Sequence, residues 1–314
     1  SPLTTMPKYI RFDWAMKKLL RDRANFVVLE GFISTLLEKD IRITEIIESE
    51  SNQDYANDKQ DRVDVAAQDE RGTKYIIEVQ AESEVSYFQR ILFGTSAFVR
   101  SCINRGDSYG DIKKIYSINI VFFNLGNGND YIYHGKTEFR GMNTGELLGL
   151  SPFQQEKFEV DTVSDIFPEY YILKVNHFNE VAKTPLHEWI QFLKNETIPE
   201  HPQAKGLVEA KAVMDYAHMT PAEQNDYNHH LDNISILRDQ HITARGEGLI
   251  EGREQGRAEG RAEGRAEGMA EGDRRATLRN ACKMKEKGIS LEMIAEITGL
   301  SIDEIEKAEP DSCV

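Results

Sequence analysis

The sequence predicts an α/β protein, in which a mixed β-sheet is flanked by helices and followed by an α-helical C-terminal extension. Three observations predict this architecture. Helical and strand-like patterns alternate over residues 1–200, a two-stranded hairpin lies near residues 62–80, and glycine recurs every fourth residue across 246–273. With 314 residues, the chain is long enough to bury a sizeable core and to carry smaller appendages.

The N-terminal part predicts two helices and then a strand. Apolar residues recur at helical spacing over residues 8–23 and 25–38, and residues 41–47 have the composition of a strand. The first helix carries a basic cluster that includes Lys17 and Lys18. We interpret this cluster as a solvated helix face, with contact to phosphate as the alternative.

The hairpin is the most informative stretch of the chain. Two arms rich in β-branched and aromatic residues flank the turn residues Asp-Glu-Arg-Gly at 69–72. Because side chains alternate along a strand, each arm has an apolar face and a polar face. We expect an odd-length loop or a bulge with Gly72 in the left-handed conformation, which would place Asp64 opposite Glu78.

Asp64 and Glu78 would then be neighbouring carboxylates beside a core. Such a pair repels itself and is costly to bury unless something neutralises it. A hard divalent cation such as Mg²⁺ does so with carboxylate, carbonyl and water oxygens. The alternative is a hairpin with one solvated face, on which both carboxylates point to water.

The elements after the hairpin complete a sheet with helices around it. Residues 85–105 and 186–194 predict helices, and the patterns of 114–124, 131–134 and 170–175 predict strands. Arg90 falls near the start of the first of these helices, where its guanidinium could pair with Glu78 or contact a phosphate. The predicted core ends near residue 200, and residues 201–245 are helical in character.

The glycine repeat of residues 246–273 includes three copies of Arg-Ala-Glu-Gly. Each glycine in a helix costs roughly 1 kcal/mol relative to alanine, and opposite charges two residues apart do not pair. We therefore expect a helix that is stabilised by self-association, in a homodimer or a higher homo-oligomer; a disordered linker is the alternative. Residues 274–314 predict a small helical module whose last helix is too acidic to read DNA, and so it is interpreted as an interaction module.

Composition limits the possible functions. The net charge of −15 argues against a broadly basic DNA-coating surface. No apolar run is long enough to span a membrane and no signal-peptide core is present, so we expect a cytoplasmic protein. Three widely spaced cysteines match neither a disulfide framework nor a zinc site.

The hairpin, with Asp64, a polar turn and Glu-Val-Gln at 78–80, resembles the active-site hairpin of the PD-(D/E)XK nucleases. More specifically, it resembles the branch of PD-(D/E)XK family transposases or recombination-promoting nucleases. The similarity continues through segments on both sides and into the glycine repeat; the segments are residues 9–18, 28–32, 48–52, 116–121 and 165–171. The resemblance implies a restriction-endonuclease-like fold for residues 1–200.

The resemblance also implies the roles of individual residues. Asp64 and Glu78 would be metal ligands, with the Val79 backbone carbonyl as a third oxygen donor for Mg²⁺, or for Mn²⁺ or Ca²⁺. Gln80 stands where the superfamily usually has lysine; an amide can hydrogen-bond a water but cannot offset negative charge as an ammonium does. Glu30 matches an acidic position that often completes the site.

The implied function is a metal-dependent DNA endonuclease that hydrolyses phosphodiester bonds and promotes recombination or transposition. Lys17, Lys18 and Arg90 would contact the DNA. The alternative is a catalytically weak DNA-binding or regulatory scaffold that self-associates through its C-terminal helices. A transposase with an RNase-H-like acidic triad fits poorly, because both carboxylates come from one hairpin.

Overall fold

The period-two patterns of the sequence form the six strands of one mixed sheet in the computed structural model, which describes residues 8–47 and 64–308. The strand order is β1-β2-β3-β4-β6-β5. The central strands β3, β4 and β6 are parallel, and β1, β2 and β5 pair antiparallel. The strands are β1 (Ile43–Ile46), β2 (Val65–Asp69), β3 (Lys74–Gln80), β4 (Ile115–Val121), β5 (Ile132–Gly135) and β6 (Glu169–Lys174).

Helices flank this sheet, as the sequence predicts. Those within the first 220 residues are α1 (Phe12–Lys18), α2 (Phe26–Leu37), α3 (Tyr87–Ser101), α4 (Pro152–Phe158), α5 (Pro185–Asn195) and α6 (Leu207–Val213). Helices α1, α2, α5 and α6 contribute to the main core, together with Tyr75 and Ile77 of β3. Helix α3 covers the other face of the sheet, where Phe98 joins Ala66 and Ile76.

The predicted hairpin geometry is confirmed. Gly72 has a φ of 78°, and the Asp69 amide donates to the Thr73 carbonyl across a three-residue loop. Val65 pairs with Ile77, so the next step of the same register sets Asp64 opposite Glu78. The odd-length loop therefore brings the two carboxylates to the same end of neighbouring strands.

Residues beyond 213 hold the start of the chain in place. The Ile10 amide donates to the Met214 carbonyl at 2.8 Å, and the Arg11 amide donates to the Tyr227 hydroxyl at 3.1 Å. The Trp14 and Tyr227 rings meet edge to face with centroids 5.4 Å apart. The position of α1 thus depends on a distant part of the sequence.

Helix α2 touches the segment before α6 backbone to backbone. A Cβ atom added at Gly31 would overlap the Lys205 carbonyl oxygen and the Cα of Gly206. The buried Glu188 fastens the same segment by accepting the amides of Gln203 and Ala204, both at 2.8 Å. Only a residue without a side chain fits at position 31.

The chain divides into two compact units, Ser1–Ser235 and Ile236–Val314. One helix, α7 (Pro221–Glu286), contains the whole glycine repeat, which is therefore helical and not a disordered linker. Thr220 and Glu223 form a capping box at its start, a pattern that can be seen in the sequence.

Two short helices, α8 (Leu291–Thr298) and α9 (Ile302–Lys307), follow α7. Ile294 and Ile305 pack with Ala281 of α7 in a small core, and Ser290 and Ser301 cap the two helices. Helical structure in the last module is thereby confirmed.

The cysteines depart from the expectation in one respect. Cys102 is free, whereas Cys282 is disulfide-bonded, although the spacing of the cysteines matches no disulfide framework. None of the helices in residues 8–47 and 64–308 combines the length and apolar character required to cross a bilayer.

Candidate active site

The candidate site lies where β2 begins and β3 ends. Because the two strands are antiparallel, the residue entering β2 lies beside the last residues of β3. The carboxylate of Asp64 accepts a 2.8 Å hydrogen bond from the Val79 amide through its Oδ2 atom, and only 11% of its side chain is exposed. The Asp64 side chain therefore takes the place of a backbone acceptor and extends the hydrogen bonding between β2 and β3 by one residue.

The Val79 carbonyl points to the same side as Asp64. The carbonyl of Gln80 accepts from the Phe122 amide and is therefore directed toward β4. Adjacent residues of a strand direct their N–H and C=O groups to opposite neighbours, so those of Val79 face β2. The Val79 carbonyl oxygen consequently points toward β2, as does the Val79 amide that binds the Asp64 carboxylate.

Glu78 is a buried acid with an unusual environment. Its side chain is 12% exposed, and burial raises the pKa of its carboxyl, with the Arg90 charge opposing the rise and the Asp64 charge adding to it. Arg90 Nε lies 2.7 Å from Oε1 but without the alignment of a hydrogen bond. Within the described residues Oε1 is a buried acceptor with no hydrogen-bond donor.

Each carboxylate has a cation beside it. Lys17 Nζ lies 2.9 Å from Asp64 Oδ1, and the Arg21 guanidinium donates to the Asp64 carbonyl at 3.3 Å. Arg90 is shared between Glu78 and Glu84, and its Nη1 lies 3.1 Å from the Glu84 carboxylate. Positive charge is thus gathered locally at this acidic edge.

The geometry of the hairpin agrees with the comparison with known families. The family model for the PD-(D/E)XK nuclease family transposase matches residues 10–241. The chain belongs to this family. No curated protein and no solved structure matches the chain. Membership carries a nuclease or transposition-related function, and PD-(D/E)XK nucleases generally use divalent metals.

Gln80 is the residue that we expect at the position where the superfamily more often has lysine. Its Nε2 donates to the Glu82 carbonyl at 3.2 Å, so the side chain turns toward the chain that leaves β3. Its carboxamide oxygen can still accept from a water, whereas no charge is supplied at this position. The role of Gln80 in this PD-(D/E)XK protein stays a prediction.

Glu30 and Lys18 are engaged elsewhere. Glu30 Oε1 accepts from the Ile43 amide at 2.9 Å, which ties α2 to β1, and Lys18 Nζ lies 3.3 Å from Asp226 on α7. Within the described ranges, no group of three or more His, Cys, Asp or Glu side chains is arranged for a metal. The structure therefore brings together Asp64, Glu78 and Val79, and the participation of Glu30 stays a prediction.

Sequence reasoning missed a polar layer behind Glu78. Asn119 pairs with Glu78 on the neighbouring parallel strand, and its amide donates to Ser117 Oγ at 3.1 Å. Thr95 of α3 donates to the same oxygen at 3.1 Å. Ser117 and Asn119 are polar residues in the otherwise apolar strand β4, and this pattern could have indicated the layer.

Tyr87 is a second group that sequence reasoning missed. Its ring is fully buried, its hydroxyl has no hydrogen-bond partner among the described residues, and its pKa is raised chiefly by burial and then by the charge of Glu78. The Tyr87 hydroxyl therefore lies in the electrostatic neighbourhood of Glu78, whose Oε1 contacts Arg90 without an aligned hydrogen bond. Buried polar atoms without partners are rare unless water or an ion satisfies them.

The residues present fit a divalent metal. Two carboxylates and a backbone carbonyl are the hard oxygen donors that Mg²⁺ and Mn²⁺ take, with water completing the shell. Among the described residues Glu78 Oε1 accepts no aligned hydrogen bond, although Arg90 Nε lies 2.7 Å away, and this supports the fit. Asp64, Glu78 and Val79 are the residues that would hold the ion.

Proposed function

We propose that this protein is a magnesium-dependent DNA endonuclease whose cleavage promotes recombination or transposition. The observation that carries the proposal is the pair of buried carboxylates, Asp64 and Glu78, that neighbouring strands bring to one end of the hairpin, each beside a basic side chain. Burying two neighbouring carboxylates costs free energy even when each lies beside a cation, and a bound divalent ion would lower that cost. Membership of the nuclease family gives DNA as the substrate class.

The residues have distinct roles in this proposal. Asp64, Glu78 and the Val79 carbonyl hold the metal, for which Mn²⁺ or Ca²⁺ are the alternatives to Mg²⁺. When bound, the ion lowers the pKa of an attached water and neutralises charge on the phosphate. Gln80 orients that water by a hydrogen bond, and Glu30 supports the acidic edge from α2.

The reaction is a phosphodiester hydrolysis. The water oxygen forms a bond to phosphorus, the bond from phosphorus to the leaving oxygen breaks, and the leaving oxygen takes a proton. In this proposal Lys17, Lys18 and Arg90 contact the DNA backbone, although Lys18 lies against Asp226 in the structure without DNA. These local contacts reconcile a nucleic-acid substrate with a net charge of −15.

Self-association through residues 246–273 is a further part of the proposal. The glycines of α7 from Gly248 to Gly272 have no neighbour within 4 Å of an added Cβ, and the helix is exposed along its repeat. A second copy packed on this stripe would supply counter-charges to the arginine and glutamate rows. Light scattering on the full chain would give a dimer or larger mass, whereas a monomer at high micromolar concentration contradicts this part.

The deciding experiment uses supercoiled plasmid with Mg²⁺, Mn²⁺ or Ca²⁺ and compares the protein with an Asp64→Ala variant of equal circular dichroism. Nicking or linearisation that disappears in the variant supports the nuclease and its site together. If no metal supports cleavage, or if the variant cleaves equally, the endonuclease is excluded and the scaffold function takes its place.

A further inference from the structure

Two basic side chains flank the carboxylates of the candidate site, but they differ in the number of carboxylates that each contacts. Arg90 is 32% exposed and contacts two carboxylates, Glu78 and Glu84. Lys17 is 48% exposed, and its ammonium contacts one carboxylate, that of Asp64. An ammonium has three N–H donors, so Lys17 has donor capacity beyond this contact.

We infer that Lys17 supplies the positive charge that offsets the negative charge building up on the phosphate during cleavage. The inference rests on the proposed nuclease function and adds a catalytic residue to it. Position 80 is occupied by an amide, which leaves the acidic edge without an ammonium from β3. The Lys17 ammonium lies at this edge, although it comes from a different element, α1.

The backbone of α1 fixes where Lys17 can reach. Trp14 and Met16 of α1 are buried, whereas the half-exposed Lys17 reaches Asp64 at the entrance of β2. Arg21 reaches the Asp64 backbone from the following turn. Both basic side chains thus contact Asp64, so a phosphate held against Asp64 and Glu78 would lie near them.

Lys17 acts in the hydrolysis as a fixed charge and not as a proton carrier. As water oxygen bonds to phosphorus and the leaving oxygen departs, charge spreads over the non-bridging phosphate oxygens. Two ammonium N–H groups can donate to those oxygens while the third remains on Asp64. Preorganised donors aimed at developing charge are worth about 100-fold to 1,000-fold in rate.

The test compares Lys17→Met with Lys17→Arg and with a control, Lys136→Met. Lys136 is matched to Lys17, because it is 50% exposed and pairs with one carboxylate, that of Glu138, beyond the opposite edge strand of the sheet. We expect Lys17→Met to lower kcat by about 100-fold. KM for DNA should change less than about threefold, because the lost interaction belongs to the transition state. Lys17→Arg should be intermediate, and Lys136→Met should equal the wild type.

Two further measurements separate catalysis from folding. The double variant Lys17→Met/Gln80→Lys should recover rate, because it returns an ammonium to the same edge from β3. Calorimetric titration with Mn²⁺ in the absence of DNA should show equal or tighter binding by Lys17→Met, since Asp64 loses a competing cation.

Wild-type cleavage that Lys17→Met retains would overturn this inference while leaving the nuclease intact. A loss of rate that is accompanied by a lower Tm or by lost Mn²⁺ binding also overturns it, because Lys17 would then be structural. If the wild-type protein cleaves no DNA with any metal, the proposed function fails and this inference fails with it.

Discussion

Asp64 Oδ2 and the Val79 amide are joined by a 2.8 Å hydrogen bond that extends the β2–β3 pairing by a side chain. An asparagine at position 64 preserves this bond, because its carboxamide oxygen accepts equally well. It removes the negative charge that a metal and Lys17 both require. Asp64→Asn should therefore keep the wild-type Tm within about 2 °C and lose at least about 100-fold in plasmid cleavage. Cleavage at the wild-type rate would show that the Asp64 charge is not needed.

Glu78 should titrate above the ordinary range of a glutamate in the metal-free protein. Burial raises its pKa, the Asp64 charge adds to the rise, and the Arg90 charge opposes it. Arg90→Met should therefore raise the pKa of Glu78 further, whereas Asp64→Asn should lower it. Carboxyl ¹³C NMR titrations of the three proteins measure these shifts. Identical titration curves in all three would mean that neither charge acts on Glu78.

Glu196 should make the stability of the first unit depend on pH. It ends α5 with a φ of 56°, and burial raises its pKa to about 7, with the Arg11 charge opposing the rise and the Asp13 charge adding to it. A raised folded-state pKa gives stability that is present below the unfolded value near 4.5 and is lost as pH rises through about 7. Glu196→Gln should thus raise Tm by about 2–4 °C at pH 8 and hardly at pH 4.5.

The control for Glu196 is Glu159→Gln. Glu159 also ends a helix in the left-handed conformation, with a φ of 54°, but it is exposed. Its substitution should change Tm equally at both pH values. A pH-independent effect of Glu196→Gln would contradict the burial of an ionisable group at this helix end.

Substitution of Gly31 and of Gly94 by alanine should change the free energy of unfolding in opposite directions. Gly31→Ala forces α2 away from the Lys205 carbonyl, and overpacking of this kind costs roughly 3 kcal/mol. Gly94 lies inside α3, and an added Cβ there meets nothing within 4 Å, so Gly94→Ala should gain about 0.5–1 kcal/mol of helix stability. Urea unfolding measures both free energies. Equal effects would mean that the contact at Gly31 is absent in solution.

Local chemistry determines much of the hairpin and so could be predicted from sequence. Alternating apolar residues around a turn that contains Gly72 specify both the odd loop and the faces of β3. Helix α4 was equally predictable, because Ser151, Pro152 and Gln154 form a capping box with proline in the first turn. That signal was missed because the short helix has few apolar residues in helical register.

Contacts between distant segments could not be predicted in the same way. Nothing near Lys17 in the sequence distinguishes it from Lys18, yet one pairs with Asp64 and the other with Asp226. One residue along a helix rotates a side chain by about 100°, and tertiary packing alone decides which of the two meets the strand. The position of Asn119 beside Glu78 likewise follows from parallel register, which no local pattern encodes.

The attachment of α1 to residues 214–227 has a consequence for the order in which the protein is made. The helix that carries Lys17 leaves the ribosome well before Met214 and Tyr227, which hold it in place. Asp64 and Glu78 are translated in between. A nascent chain therefore carries both acids before the lysine can be fixed beside them, and the complete edge forms only when the segment around Tyr227 has emerged and packed.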